Sequence, residues 1–189
     1  VICAMLLASR NVVGGAAWVK EQAAAGADVE KVVEKGKSQF VGPEVQGKTL
    51  GVVGLGAIGV QVANIATKLG MTVFGYDPFL SVDAALSLSR MVQRANDLET
   101  IYKNCDYITL HLPLNGDTKG MIDASAIQMM KSGVRVINLA RGGLVSDDDM
   151  LQALESGKVA CYATDFPNNK ILTGRNVVAI PHLGASTPE

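Results

Sequence analysis

Four polar side chains stand where apolar runs of this chain end: His111, Arg141, Asp165 and His182. Arg141 precedes Gly142-Gly143 and then a helical pattern. A guanidinium so placed could grip a carboxylate through two parallel hydrogen bonds, or it could be a surface group bonded to nearby carbonyls. His182 lies in Pro181-His182-Leu183-Gly184-Ala185-Ser186-Thr187. An imidazole there could act as general acid or base, or it could be a hydrogen-bonded loop histidine. His111, in His111-Leu112-Pro113, sits inside an apolar strand end. It suits packing beside a bound group better than titration in catalysis.

A fifth feature indicates what that bound group is. Gly54-Leu55-Gly56-Ala57-Ile58-Gly59 is a Gly-x-Gly-x-x-Gly loop. An apolar run, Thr49 to Val53, leads into it, and a helical pattern from Val60 follows. A second short run, Thr72 to Tyr76, ends in Asp77-Pro78. An acid about twenty residues beyond such a loop completes the dinucleotide-binding fingerprint. Gly54 allows the tight turn, Gly56 lets a pyrophosphate approach the backbone, and Gly59 lets the helix sit close on the strand. The helix N-terminus offers free N–H groups and a positive dipole end to the phosphates. Asp77 would accept hydrogen bonds from the ribose of NAD and repel the 2′-phosphate of NADP. It also reads as a turn residue before Pro78, and the two roles are compatible.

The elements that must hold these residues follow from hydrophobic periodicity. Strands are expected at Thr49–Val53, Thr72–Tyr76, about Arg90–Gln93, Tyr107–Leu112, Arg135–Leu139, Val159–Thr164 and Val177–Ile180. Helices are expected at about Val60–Lys68, Val82–Leu88, Leu98–Asn104, Ala124–Lys131 and Asp147–Ser156. Asp97 is a candidate N-cap, and Ser146 with Asp149 has capping-box spacing. Gly70 and Gly157 stand where helices should stop. Runs apolar at nearly every position imply a sheet covered on both faces, hence parallel. The expected fold is therefore α/β, a doubly wound parallel sheet of the Rossmann type in a single domain, with ligands at the carboxyl ends of the strands. Ahead of it, Val1 to about Ala25 predicts one helix interrupted at Gly14-Gly15, and Val29 to Lys35 a short charged helix.

The chain has 189 residues, enough for one domain with a sizeable core. Its formal net charge of −1, with Lys and Arg scattered, carries no signature of nucleic-acid or anionic-membrane binding. Cys3, Cys105 and Cys161 stand far apart among apolar residues. That argues against a disulfide framework or a metal site, suits a reducing cytoplasm, and predicts three buried small hydrophobes. The apolar start, Val1 to Ala8, is too short to cross a bilayer. Both ends read as cuts in a longer protein.

The glycine loop, Tyr76-Asp77-Pro78, His111-Leu112-Pro113-Leu114, Asn138-Leu139-Ala140-Arg141-Gly142-Gly143-Leu144-Val145 and Pro181-His182-Leu183-Gly184-Ala185-Ser186-Thr187 come in the order of the NAD-dependent D-2-hydroxyacid dehydrogenases, which the chain resembles over nearly its whole length. The resemblance implies an oxidoreductase using NAD on a small 2-hydroxy or 2-keto acid. The last motif is most similar to members acting on 3-phosphoglycerate in serine biosynthesis; glyoxylate, hydroxypyruvate and D-lactate are the alternatives. It implies that residues 1–189 are the NAD-binding domain without the family's separate substrate domain, so that the fragment alone turns over poorly or not at all. Residues 1–47 would be a helix and arm that pair two subunits of a homodimer, and residues 48–189 the Rossmann core.

By the same resemblance, Arg141 binds the substrate's carboxylate and carbonyl side, and His182 exchanges the proton of the substrate oxygen. Asp165 holds the nicotinamide carboxamide. Ile58 and Gly59 present N–H groups to the pyrophosphate, with Gly54, Gly56 and Ala57 in the same loop. Ala140 and Gly184 line the nicotinamide pocket beside Arg141 and His182, and Asp77, Pro78, His111, Leu112 and Pro113 complete the cofactor contacts. One stretch departs from the family pattern. The family places a Glu a few residues after the Asp, where it pairs with the catalytic His. This chain reads Asp165-Phe166-Pro167-Asn168-Asn169-Lys170, one residue short and without that carboxylate. An Asn can orient an imidazole but cannot stabilise its cation by charge. Either the support is lost, or another acid such as Glu189 replaces it. The fold family also includes transcriptional corepressors that use NAD to control dimerisation, so a non-enzymatic NAD-sensing dimer is the competing expectation.

Overall fold

The computed structural model describes residues 1–184 and 186. Seven strands form one parallel sheet: β1 (Thr49–Val53), β2 (Thr72–Tyr76), β3 (Val92–Arg94), β4 (Tyr107–Leu110), β5 (Val134–Asn138), β6 (Val159–Thr164) and β7 (Val177–Ala179). Their order is β3-β2-β1-β4-β5-β6-β7, so the winding reverses between β1 and β4. There the register pairs Val53 with Leu110. That reversal opens the crevice in which doubly wound sheets bind ligands.

Helices cover both faces, as nearly continuous strand burial requires. On one face lie α1 (Ile2–Ser9) and α4 (Ala57–Lys68), whose Ala4, Met5, Ala8, Ala63 and Ala66 pack with Leu50, Val52, Tyr107 and Ile137. The other carries α6 (Leu98–Asn104), α7 (Ala124–Met129) and α8 (Asp147–Ser156) over Val53, Ile108, Leu110 and Val136. Small residues on α1 and α4 let backbone approach sheet closely. Two polar contacts lock α1 in place: Arg135 Nε donates to the Ala8 carbonyl (2.8 Å), and the Ser9 and Tyr107 hydroxyls meet at 2.9 Å.

Several boundaries differ from the sequence expectation. The first helix breaks at Arg10-Asn11 rather than at Gly14-Gly15, and α1 and α2 (Val12–Ala24) meet at 61°. The cause is a cap: Asn11 Oδ1 accepts from the Gly14 N–H at 3.0 Å, so the glycines lie in the first turn of a new helix. Helix α4 starts at Ala57, three residues before Val60, with Gly56 at its N-cap. β4 stops at Leu110, before His111, and β3 lies two residues later at its start than periodicity placed it. Asp97 caps α6 through the Thr100 N–H (2.7 Å), and Gly157 ends α8 in the left-handed conformation. Ser146 holds the N-cap position of α8, but its hydroxyl makes no capping bond; its N–H instead donates to Ile122. Cys105 and Cys161 are buried, whereas Cys3 is exposed because α1 turns its neighbours Ala4 and Met5 inward.

Beyond α1, α2 and α3 (Val29–Gly36) bury no residue within the chain. They pack on each other, and α2 also packs on the 3-10 turn Lys37–Phe40, where the Trp18 and Phe40 rings are 5.4 Å apart. α5 (Val82–Ser87) links β2 to β3. No single helix among the described residues is long and apolar enough to cross a membrane.

Candidate functional site: the carboxyl edge of the sheet

The glycine loop leaves β1 and turns straight into α4. Gly54 takes φ +94°, and its N–H donates to Tyr76 O (2.8 Å). A methyl group on it would lie 2.6 Å from the His111 carbonyl oxygen, so Gly54 lets the ends of β1 and β4 close up. A methyl on Gly59 would fall 1.9 Å from the Gly54 carbonyl oxygen, which is why the first turn of α4 can sit down on the loop. Around the Cβ position of Gly56 there is nothing within 4 Å. Two of the three glycines thus serve close packing, and the middle one leaves open space above the helix N-terminus.

That space is a cleft of about 320 Å³, lined by residues 56–59, 111–113 and 139–141. It brings together Gly56, Ala57, Ile58, Gly59, His111, Leu112, Pro113, Ala140 and Arg141. A second cavity, about 500 Å³, lies at the carboxyl ends of β2 and β3 and holds Asp77, Pro78, Arg90 and Arg94. Asp77 is held by two backbone donors. Oδ2 accepts from the Leu55 N–H, and Oδ1 from the Phe79 N–H, both at 2.8 Å. The turn role foreseen for Asp77 is present in the bond from Phe79 N–H.

His111 begins the loop after β4, and its Nε2 lies 3.1 Å from Thr109 Oγ1. Burial pushes its pKa down to about 4, so it stands neutral in the cleft at physiological pH. Asp165 closes β6 and is buried, and its Oδ1 is the one buried side-chain atom without a hydrogen-bond partner among the described residues. Native proteins rarely leave such an atom unpaired. An oxygen acceptor with nothing to accept from is what a carboxamide N–H₂ would complete. This orphan, with the open space over Gly56, fits the residues present to NAD.

Arg141 follows β5 on a loop whose backbone is tied down from within. Asn138 is buried at the strand end; its Nδ2 donates to Arg141 O (2.9 Å) and its Oδ1 accepts from the Ala140 N–H (3.3 Å). The Arg141 guanidinium itself donates to the Ala140 carbonyl at 2.6 Å, the carbonyl-bonded alternative foreseen from sequence. His182 and Gly184 lie exposed on the loop after β7. The His182 ring meets Phe166 edge-on, with centroids 4.7 Å apart and planes at 86°. Phe166 also backs the arginine loop, since a methyl on Gly142 would touch its Cβ at 3.5 Å. The loops after β5, β6 and β7 thus converge on one ring.

Asn168 does not orient His182. Its Nδ2 donates to Asp147 Oδ2 (2.8 Å), and its Oδ1 accepts from the Ile171 N–H (2.9 Å). The substitute acid foreseen from sequence, Glu189, lies outside the described residues. Sequence reasoning missed Asn138 and Phe166. Asn138 carried a signal, a polar residue closing an apolar strand; Phe166 carried none, because any aromatic there reads as core.

The family model for D-isomer specific 2-hydroxyacid dehydrogenase, NAD binding domain, matches residues 2–184. Among curated relatives, D-3-phosphoglycerate dehydrogenase of Methanocaldococcus jannaschii is 38% identical over 98% of this chain and 34% of its own length. The Bacillus subtilis enzyme of the same name is 42% identical over 82% of this chain and 30% of its own. The chain therefore spans about a third of the length of these relatives. Among solved structures, a glyoxylate reductase from Paecilomyes thermophila matches 99% of this chain and 54% of its own, with 29% identity and a TM-score of 0.79. An NAD-complexed D-isomer specific 2-hydroxyacid dehydrogenase from Lactobacillus delbrueckii matches 77% of this chain and 49% of its own, with 28% identity and a TM-score of 0.66. The chain belongs to the D-isomer specific 2-hydroxyacid dehydrogenases and is their NAD-binding domain.

Proposed function

We propose that the protein carrying this chain transfers a hydride between NAD and C2 of a small D-2-hydroxy acid, with 3-phosphoglycerate and its keto partner as the substrate pair. The substrate choice leans on the curated relatives, which are named for that acid. The observation that carries the reading is Phe166, in contact with both the Gly142 loop and His182 and next in sequence to the orphaned carboxylate of Asp165. When bound, the nicotinamide supplies or accepts the hydride. Asp165 orients its carboxamide. Arg141, released from the Ala140 carbonyl, grips the substrate carboxylate and polarises the carbonyl. His182 gives its proton to the keto oxygen in reduction and takes it back in oxidation. Neutral His111, Leu112 and Pro113 wall the cleft against water, and residues 57–59 offer N–H groups to the pyrophosphate.

The test is reduction of 3-phosphohydroxypyruvate, with glyoxylate, hydroxypyruvate and pyruvate as competitors. The reading expects 3-phosphohydroxypyruvate to have the highest kcat/KM, and Arg141→Gln and His182→Gln each to lower it by about a hundredfold or more. A parent protein carrying His182→Ala that keeps its full biological effect would instead favour a non-enzymatic NAD-sensing module, the reading that the missing carboxylate near His182 supports.

The apolar helix α2 buries nothing within the chain, and Val12 and Val13 are 56% and 60% exposed. We assign this arm to a homodimer interface. Sedimentation should give a dimer that Val12→Glu with Val13→Glu converts to monomer; an unchanged dimer would place the interface elsewhere. Serine biosynthesis in the cytoplasm is the setting this activity implies.

A further inference from the structure

We infer that Phe166 is a positioning residue for His182: an aromatic edge contact holds the imidazole where the family pattern uses a carboxylate. The inference rests on the proposed role of His182 as proton donor. The short segment after Asp165 shapes this contact. The Phe166 N–H donates to Thr164 Oγ1 (3.1 Å), which turns the chain sharply at the end of β6. Asp165 stays buried while Phe166 comes up against Gly142 and His182. Asn168 is committed to Asp147 and Ile171. Gly142 has no side chain at the face Phe166 covers, and a β-carbon there would touch it.

A perpendicular aromatic pair is directional, because the positive rim of one ring meets the negative face of the other. It therefore restricts the tilt of the imidazole as a hydrogen bond would. It differs in one respect that matters for chemistry: a phenyl ring holds no full charge. It orients the ring without placing a carboxylate beside it. Loss of Phe166 should accordingly disturb the proton-transfer step while leaving cofactor affinity unchanged, since Phe166 does not line the cleft over the glycine loop.

The chain has two histidines, so ring-proton NMR resolves His182 once His182→Gln has assigned it. In the 189-residue chain, the inference expects nuclear Overhauser contacts between the Phe166 and His182 ring protons, and a ring-current displacement of the His182 resonances. Phe166→Leu should abolish that displacement with NADH affinity unchanged, and Phe166→Tyr should retain it. In the active protein, Phe166→Leu should lower kcat at least tenfold with KM within about twofold, and Phe166→Tyr should restore kcat. Absence of the wild-type contacts, which needs no variant to fold, would overturn the inference. So would unchanged kcat in Phe166→Leu. If His182→Gln keeps full turnover while the ring contacts are present, the proton-donor reading fails and the contact is packing alone.

Discussion

The carboxylate of Asp77 and the backbone N–H of Leu55 are hydrogen-bonded at 2.8 Å, although the two residues belong to different strand ends. The acid that would read the ribose is thereby fastened to the loop that would hold the pyrophosphate. Its other oxygen is fixed by Phe79 N–H, so the carboxylate is oriented before any ligand arrives. Each oxygen keeps a second lone pair for a ribose hydroxyl. Asp77→Ala should weaken NADH binding by about tenfold, roughly 1.4 kcal/mol, and narrow the gap between NADH and NADPH. Titration of both cofactors checks this, and an unchanged ratio would detach Asp77 from cofactor choice.

The glycines divide between fold and function. Gly59→Ala would press a methyl to 1.9 Å from the Gly54 carbonyl oxygen, and forced shifts of that kind cost about 1–3 kcal/mol. Gly56→Ala meets nothing within 4 Å and should leave stability within about 0.5 kcal/mol. Its effect should be on NADH affinity, lowered about tenfold or more because the methyl occupies the phosphate approach. Chemical denaturation and calorimetry on the two variants separate the effects.

Asp165 should behave as a residue kept for a ligand. An unpaired buried polar atom costs about 1–3 kcal/mol, and one of its oxygens has no partner. Asp165→Ala should therefore leave the thermal midpoint unchanged or raise it, while weakening NADH binding by about tenfold. A lowered midpoint with unchanged binding would make it a structural carboxylate.

The neutral state of His111 has a consequence for stability. Its pKa falls from an ordinary 6.5 to about 4 in the fold. Between those values the unfolded chain binds a proton that the folded chain refuses, so stability rises with pH across this window. Acidification from about pH 6.5 to 4 should cost on the order of 2 kcal/mol through this group. His111→Gln should flatten the pH dependence of unfolding there; an unaltered slope would mean that the imidazole is solvated.

Much of this arrangement was legible in the amino-acid order. The strand cores β1, β2 and β6 were delimited by periodicity alone, because buried parallel strands are apolar at successive positions and end abruptly at glycine or acid. The start of α4 was misplaced because a Gly-Ala-Ile-Gly run has weak helical propensity, whereas the loop geometry above Gly54 imposes the turn. The break before α2 was hidden because Asn11 acts through a side-chain cap, which outweighs two glycines as a punctuation mark. At the site, the glycine loop, Asp77 and the 111–113 segment could be placed from spacing. What spacing does not encode is who touches whom across strand ends. Phe166 against Gly142 and beside His182 joins the loops after three different strands, and only the sheet order brings them together.

The most direct test of the NAD-binding assignment is a calorimetric titration of this chain with NADH and, separately, NADPH. One saturable site for NADH, with much weaker NADPH binding, is the predicted result. A chain shown to be folded that binds neither cofactor would contradict it.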